Sequence, residues 1–335
     1  MKLTVKKIQQ LAFLLLLSAV LITAAGCGSK AADNKPQAKE QKAVVEFKYP
    51  DNPSFDLFYI ADALGYFKDS GVQPKYVGKI AEGQVIPSVI SGAIDFGNRH
   101  TPLPMAAIAT GADVKIIAAG TRSIEAAPHM KYFVRTDSGI NGIGDLVGKK
   151  IGINSFGACS EYVTKKYLKD NGLDDKVQLV QIPNEQLDQA VTQGLVQVSI
   201  IHPPTSGRAE KSPELKKLFS DYNIDNGISG MNPITVNGKF ARENPEAMKT
   251  IVSILAKTAK WVNEHPDDAR KIIADRLKLD VNLVERYAYY DDQIVPAKEI
   301  QYWVDRLEAE GKLKLGQVKA ADVYTNEYNP NNKKS

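Results

Sequence analysis

Residues 150–201 read KIGINSFGACSEYVTKKYLKDNGLDDKVQLVQIPNEQLDQAVTQGLVQVSII. Lys150–Ile153, Gln178–Ile182 and Val198–Ile201 are short runs rich in Val and Ile, too brief for helices and bounded by Asn, Gly or Pro; they predict strands. Cys159–Asp170 and Leu187–Gln193, between them, carry apolar residues at helical spacing. Strand, helix, strand, helix, strand is the pattern of an α/β domain with a mainly parallel sheet.

A similar series precedes it. Val45, Phe47 and Tyr49 alternate with polar residues and predict a first strand. A helix from Phe58 to Lys68, ended at Gly71, and a strand over Lys75–Val77 follow. Next come a helix over Gln84–Ser91, a strand at Ile94–Phe96, a helix over Met105–Thr110 and a buried strand at Val114–Ala119. Tyr132–Val134 predicts a strand leaving this first lobe, and Ile234–Val236 a strand returning to it. Beyond that the chain reads as helical. Asn244–Pro245 is an N-cap and first-turn pair. Met248, Ile251, Val252, Leu255, Ala259 and Val262 hold helical spacing after it. Further helices are expected over Asp267–Leu277, Val281–Tyr290 and Lys298–Glu310. Two α/β lobes joined by two crossing strands make a hinged clamp. Ligands of such sheets sit outside the carboxyl ends of the strands, which places a site in the cleft between the lobes.

Composition narrows the function. The formal charge of the whole chain is +4. Lys2, Lys6 and Lys7 supply three of those charges and residues 28–42 a net two more, which leaves the rest near −1. A basic field for nucleic acid is therefore absent. Lys2, Lys6 and Lys7, the apolar run Leu11–Val20 and the small residues Ala24–Gly26 before Cys27 resemble a bacterial lipoprotein signal, in which the Cys becomes the acylated first residue. The run is too short to span a bilayer, which needs about 20 residues. Residues 1–26 are thus expected to be removed and Cys27 to tether the chain to the outer face of a membrane. Residues 28–42 lack large apolar side chains and read, with Cys27 and Ala43, as a flexible tether. The stretch from Asn329 to Ser335 reads as a disordered tail. The one Cys left besides Cys27 is Cys159, so no internal disulfide can form.

Four stretches resemble one family, the solute-binding lipoproteins of ABC importers for sulfonates, taurine, nitrate and thiamine-precursor pyrimidines (the NMT1/THI5-like and SsuA-like group). They are Phe58–Ala61 with Gly65–Phe67 and Gly71–Val72; Ser91–Gly97; Ala106–Ile117; and Asp137–Ile140 with Asp145–Leu146 and Gly148–Gly152. The resemblance implies a type II periplasmic-binding fold, with 44–132 and 238–328 forming one α/β lobe, 133–237 the other, and a two-strand hinge between them. It also implies a monomer that captures a small molecule and delivers it to an ABC permease and its ATPase. No catalysis and no cofactor is implied.

Candidate ligand residues follow from the ends of strands. Asn98, Arg99 and His100 succeed the third strand. An Arg there can fork two hydrogen bonds to a sulfonate or carboxylate, although a surface ion pair with Asp95 is the plainer reading. Ser155, Phe156, Gly157 and Ser160 open a helix whose free N–H groups attract anions, and either serine could simply cap it. Asn52, Ser54 and Phe55 follow the first strand, and Gly83 and Gln84 open the next helix. Thr121 and His202 end later strands. His129 is expected on the approach to the hinge and His265 in solvent. Arg99 and the helix starts would hold an anionic head group, with Phe55 and Phe156 packing the organic part. If Arg99 turns outward, a neutral heteroaromatic such as a pyrimidine fits better. Cys159 invites a rival reading as the nucleophile of a secreted thiol enzyme, with His100 or His202 as base. A metal site is not expected, because the histidines are scattered without ligand spacing.

Overall fold

The computed structural model describes residues 44–51 and 56–333. The expected signal and tether, Cys27, and Asn52, Ser54 and Phe55 lie outside the described residues.

Strands β1 (Val45–Tyr49), β2 (Val72–Tyr76), β3 (Phe96–Asn98) and β4 (Val114–Arg122) alternate with helices α1 (Leu57–Ala63), α2 (Val85–Ser91) and α3 (Pro102–Ala109). The Asp56 carboxylate starts α1 by accepting from Phe58 N at 2.8 Å. That helix stops short of the expected Lys68 because the chain turns left-handed at Gly65, with φ of +71°. Strands β5 (Lys131–Arg135), β6 (Lys150–Ile153), β7 (Gln178–Gln181), β8 (Val198–Ile201) and β9 (Leu215–Ser220) form the second lobe with α4 (Cys159–Asp170), α5 (Leu187–Thr192), α6 (Ser206–Lys211) and α7 (Asp221–Asp225). The chain returns through β10 (Asn232–Asn237) into α8 (Gly238–Glu243), α9 (Pro245–Glu264), α10 (Pro266–Leu277), β11 (Ala288–Tyr289), α11 (Ala297–Ala309) and α12 (Ala320–Val323).

The two lobes repeat one strand order. In the second it is β7-β6-β8-β5-β9, with β6 parallel to both neighbours and β5 antiparallel to both of its own. In the first, β1 and β2 pair in parallel, and β11-β4-β10-β3 form the remainder. Asp95 joins the two pieces: its N–H donates to Lys48 O at 2.9 Å, and its carboxylate accepts from Lys48 N at 2.6 Å. The order is thus β2-β1-β3-β10-β4, and β10 stands where β5 stands in the other lobe. Each lobe is completed by a strand that arrives from its partner and runs against its neighbours. The sheets are therefore mixed, and residues 232–237 belong to the first lobe's sheet, not to the second lobe where the 133–237 boundary put them.

Helices α9 and α11 carry the apolar faces that the spacing predicts. On α9, Met248, Ile251, Val252, Leu255, Ala259 and Val262 are buried against α1 and the first sheet, and each large aliphatic contributes roughly 1.5–3 kcal/mol by leaving water. Asn244 caps differently from expectation. Its side chain makes no bond to α9 and instead donates to Phe240 O at 3.0 Å, closing α8. Helix α11 buries Ile300, Trp303, Val304 and Leu307 in a cluster that holds Met105 and Ile116 of the first lobe and Tyr132 and Tyr162 of the second. This helix steadies both lobes near their crossings.

Three expectations fail for reasons of packing. Residues 281–290 are not a helix; after a short turn, Ala288 and Tyr289 pair with Arg122 and Thr121 and cover the open edge of β4. Elements β9, α6 and α7 were not expected, since 203–231 has little periodicity. The tail is not disordered over 329–333: Asn329 is buried and its amide donates to Asp292 O at 2.8 Å. Among the described residues, no helix is long and apolar enough to cross a membrane.

Candidate functional site

The carboxyl ends of β1, β3, β6, β7 and β8 converge on one cleft of about 340 Å³ between the lobes. The first lobe lines it with Tyr49, Asp56 and Tyr59, with Glu82 and Val85, and with Asn98, Arg99 and His100 at the end of β3. From the second lobe come Asn154 past β6, Asn184 and Glu185 past β7, and His202 to Thr205 past β8. The two crossings contribute His129 and Asn232. Tyr287 closes one side, its hydroxyl donating to Pro203 O. Because both sheets aim their carboxyl ends here, residues far apart along the chain meet.

Arg99 turns into the cleft, with 14 % of its side chain exposed, and pairs with Glu82 at 3.2 Å. The expected Arg99–Asp95 pair does not form, since Asp95 is occupied with Lys48. The Nε of Arg99 is buried and has no hydrogen-bond partner. Asn184 Oδ1 and Asn232 Oδ1 share that condition. A buried polar atom left without a partner costs on the order of 1–3 kcal/mol, so several around one cavity mark a surface made for something else to complete.

At the inner wall three imidazoles pack edge to face. The ring centroids of His100 and His129 are 4.3 Å apart, and those of His129 and His202 4.8 Å. Behind them lies the Cys159 thiol, with Sγ 3.8 Å from His129 Nε2 and 3.7 Å from His202 Nε2. Cys159 is fully buried, and each of the three histidines retains a few per cent of exposure. The Nδ1 atoms of all three rings lack partners. The four donor atoms, one per residue, lie within 4.8 Å of one another. This overturns the expectation that the histidines are scattered without a ligand arrangement: spacing along the chain hides them, while the crossings and strand ends gather them. The expectation of no metal site loses its basis with it.

Burial sets the charge of this cluster. It pushes His202 down to about 3, helped by the Arg99 guanidinium. His100 falls well below its ordinary value through burial, then through His202 and Arg99. His129 falls likewise through burial, then through its two neighbouring rings and Arg99. Burial pushes the Cys159 thiol up, with the Asp221 carboxylate adding to it. The resting state is therefore a thiol among neutral imidazoles. A thiolate–imidazolium pair, which nucleophilic attack would need, is opposed on both sides.

The other candidates are placed as follows. Asn98 lines the cleft and its amide donates to Asn232 O at 3.4 Å. Ser160 is buried and holds Asn154 by a 2.9 Å bond to its Oδ1, so it positions a lining residue without lining the cleft itself. Neither Ser155 nor Ser160 caps α4, which begins after Ala158 with no side-chain cap. Ser155 Oγ is buried without a partner, while Gly157 N is used by the Glu161 carboxylate at 2.7 Å. Phe156 is exposed at 48 % and lies outside the lining. Gly83 and Gln84 lie in an exposed turn outside the lining. Thr121 is buried in the β4–β11 pairing, also outside it. Asn154, Asn184 and Asn232 were missed. Asn154 directly follows β6 and Asn184 comes three residues past the end of β7, so the rule that found Arg99 would have found them.

A family model described as NMT1/THI5 like matches residues 52–269. Among solved structures, the chain is similar to the periplasmic aliphatic sulphonate binding protein SsuA from Escherichia coli, with a TM-score of 0.68 and 16% identity over 85% of this chain and 92% of that one. It is similar to a ligand binding component of an ABC-type import system from Staphylococcus aureus, with zinc bound, at a TM-score of 0.73 and 12% identity over 88% and 100%. It is also similar to the periplasmic nitrate-binding protein NrtA from Synechocystis PCC 6803, at a TM-score of 0.69 and 11% identity over 86% and 87%. At these identities the likeness establishes the fold, the two-lobed periplasmic-binding architecture. No curated protein matches the chain by sequence.

Proposed function

The chain belongs to the NMT1/THI5-like family, and from that premise we propose that it is the extracytoplasmic receptor of an ABC importer, tethered through a lipid on Cys27. It acts as a monomer that takes up one small solute between its lobes and hands it to a permease driven by an ATPase. The observation that carries this reading is the set of buried, partnerless polar atoms contributed by both lobes to a single cleft: Arg99 Nε, Asn184 Oδ1, Asn232 Oδ1 and the imidazole Nδ1 atoms. A solute touching both lobes completes those hydrogen bonds and favours closure.

The solute is a small anion of the organosulfonate or carboxylate class. Arg99 faces the cleft with a free Nε–H, and a guanidinium binds such oxyanions through two parallel bonds. One observation favours a second reading. Glu82 already neutralises Arg99, and the imidazoles are uncharged, which suits a neutral heteroaromatic ring. Thermal-shift titration with sulfonates, carboxylates, nitrate and pyrimidines separates the two. Arg99→Ala is expected to abolish the response to an anion; an undiminished response identifies a neutral solute. No response to any of the four classes overturns the solute assignment. The thiol-enzyme alternative is opposed by the buried, protonated Cys159. Cys159→Ser should leave solute affinity intact, whereas loss of a measured turnover would establish catalysis.

A further inference from the structure

Beyond the organic solute, we propose that His100, His129, Cys159 and His202 form a binding site for a late first-row transition-metal ion of the zinc class, and that an ion held there fastens the two lobes together. The argument starts from the donors. Thiolate and imidazole together are the ligand set that such ions select over oxygen-seeking cations. Zinc sits about 2.0–2.1 Å from imidazole nitrogen and about 2.3 Å from thiolate sulfur, in tetrahedral geometry. Neighbouring donors of such a tetrahedron are then roughly 3.3–3.7 Å apart. The thiol sulfur stands 3.7 and 3.8 Å from two imidazole nitrogens, and all four donors fall within 4.8 Å. Sub-ångström adjustments of the rings bring them onto one ion.

Burial supports the assignment independently. All four residues are more than nine-tenths buried, and the three imidazoles line the cavity, with the thiol closing it from behind. Imidazoles packed ring against ring, two of them turning Nε2 toward a buried thiol at the 3.7–3.8 Å of a weak contact, stabilise the fold poorly by themselves. A shared ion turns that packing into a source of stability.

The ligands also come from different parts of the clamp. His100 follows β3 of the first lobe, His129 lies on a crossing, and Cys159 and His202 belong to the second lobe. Four protein ligands fill a tetrahedral shell, so the ion would act as a pin between lobes and leave no open position for chemistry.

The test uses the full chain, stripped with a chelator and dialysed. Zn²⁺ in competition with a chromophoric chelator is expected to bind at one equivalent per chain. His202→Ala and Cys159→Ser are each expected to weaken it at least about tenfold, as even lesser changes around metal ligands do. Co²⁺ should give a tetrahedral spectrum with a thiolate-to-metal band that vanishes in Cys159→Ser, and X-ray scattering should show compaction when Zn²⁺ is added. Absence of the equivalent, equal uptake by a His100→Ala/His129→Ala variant, or an octahedral Co²⁺ spectrum without the thiolate band overturns the site. The Co²⁺ spectrum of the unmutated chain decides even where a variant fails to fold. Organic-solute titration with chelator present keeps the questions apart: solute binding without metal binding defeats only this inference, and the reverse defeats only the organic-solute assignment.

Discussion

Two walls of the cleft are built on opposite principles. On the first lobe, the lining residues Tyr49 and Tyr59 pack with Phe58 and Tyr76, which lie outside the lining, in one cluster of tilted and edge-on rings, with centroids of neighbours 4.3 to 6.5 Å apart. Its polar ends are engaged: the Tyr49 hydroxyl donates to Asp56, the Tyr59 hydroxyl donates to Pro50 O, and Arg276 lies over the Tyr59 and Tyr76 rings while pairing with Asp51. On the inner wall, three imidazoles and a thiol are equally buried, and the ring nitrogens include several with no partner at all. Aromatic pairs of the first kind contribute about 0.5–1.5 kcal/mol beyond area burial, whereas each unpaired atom of the second kind costs on the order of 1–3 kcal/mol. The difference separates a wall that stabilises the fold from one that, on the proposed function, a ligand completes.

That contrast can be broken by substitution. Phe58→Ala, which removes the ring packed on Tyr49 and on Phe47, Phe67 and Phe96, is expected to cost about 3–5 kcal/mol in urea unfolding. A loss below about 1 kcal/mol would mean the aromatic cluster is not structural. Gly207→Ala addresses the join between the walls. A methyl there would stand 2.1 Å from Leu283 O of the opposite lobe, too close for backbone to yield. Solute affinity should fall at least about tenfold, roughly 1.4 kcal/mol, while the melting temperature changes little because the lobes can part.

His129→Leu tests the inner wall directly. Replacing a buried ring whose Nδ1 has no partner and whose Nε2 meets only the Cys159 thiol, at 3.8 Å, by an apolar side chain of similar size should leave stability within about 1 kcal/mol and yet weaken Zn²⁺ binding at least about tenfold. A marked fall in stability would show that the imidazole cluster is ordinary core. The smallest effect is expected from Arg276→Met, which removes the partly exposed ion pair with Asp51 together with the guanidinium's contacts over the Tyr59 and Tyr76 rings; unfolding should shift by about 1 kcal/mol or less. A larger loss would assign the cation itself a part in the aromatic wall.

Much of the architecture was legible because period and punctuation are local. Cys159–Asp170 folds over the residues its spacing predicted, and the alternation of 150–201 correctly announced an α/β lobe. Elements that exist to cover something else were not legible. Ala288–Tyr289 is a strand because β4 has an edge to close, a fact written nowhere in 281–290. At the site, the rule that ligands gather beyond strand ends led to Asn98, Arg99, His100 and His202, all of which line the cleft. It also led to Phe156 and Thr121, which do not, because position in the chain says which end of a sheet a residue occupies and not which way its side chain turns.

The sequence alone determined the two-lobed α/β plan and the family, since hydrophobic period, glycine turns and ordered motifs survive without knowledge of contacts. Only the tertiary structure decided that His100, His129, Cys159 and His202 form one cluster. Their proximity depends on two sheets facing each other through their carboxyl ends and on a crossing segment between them. Such meetings are set by packing across the whole chain, and no spacing along it encodes them.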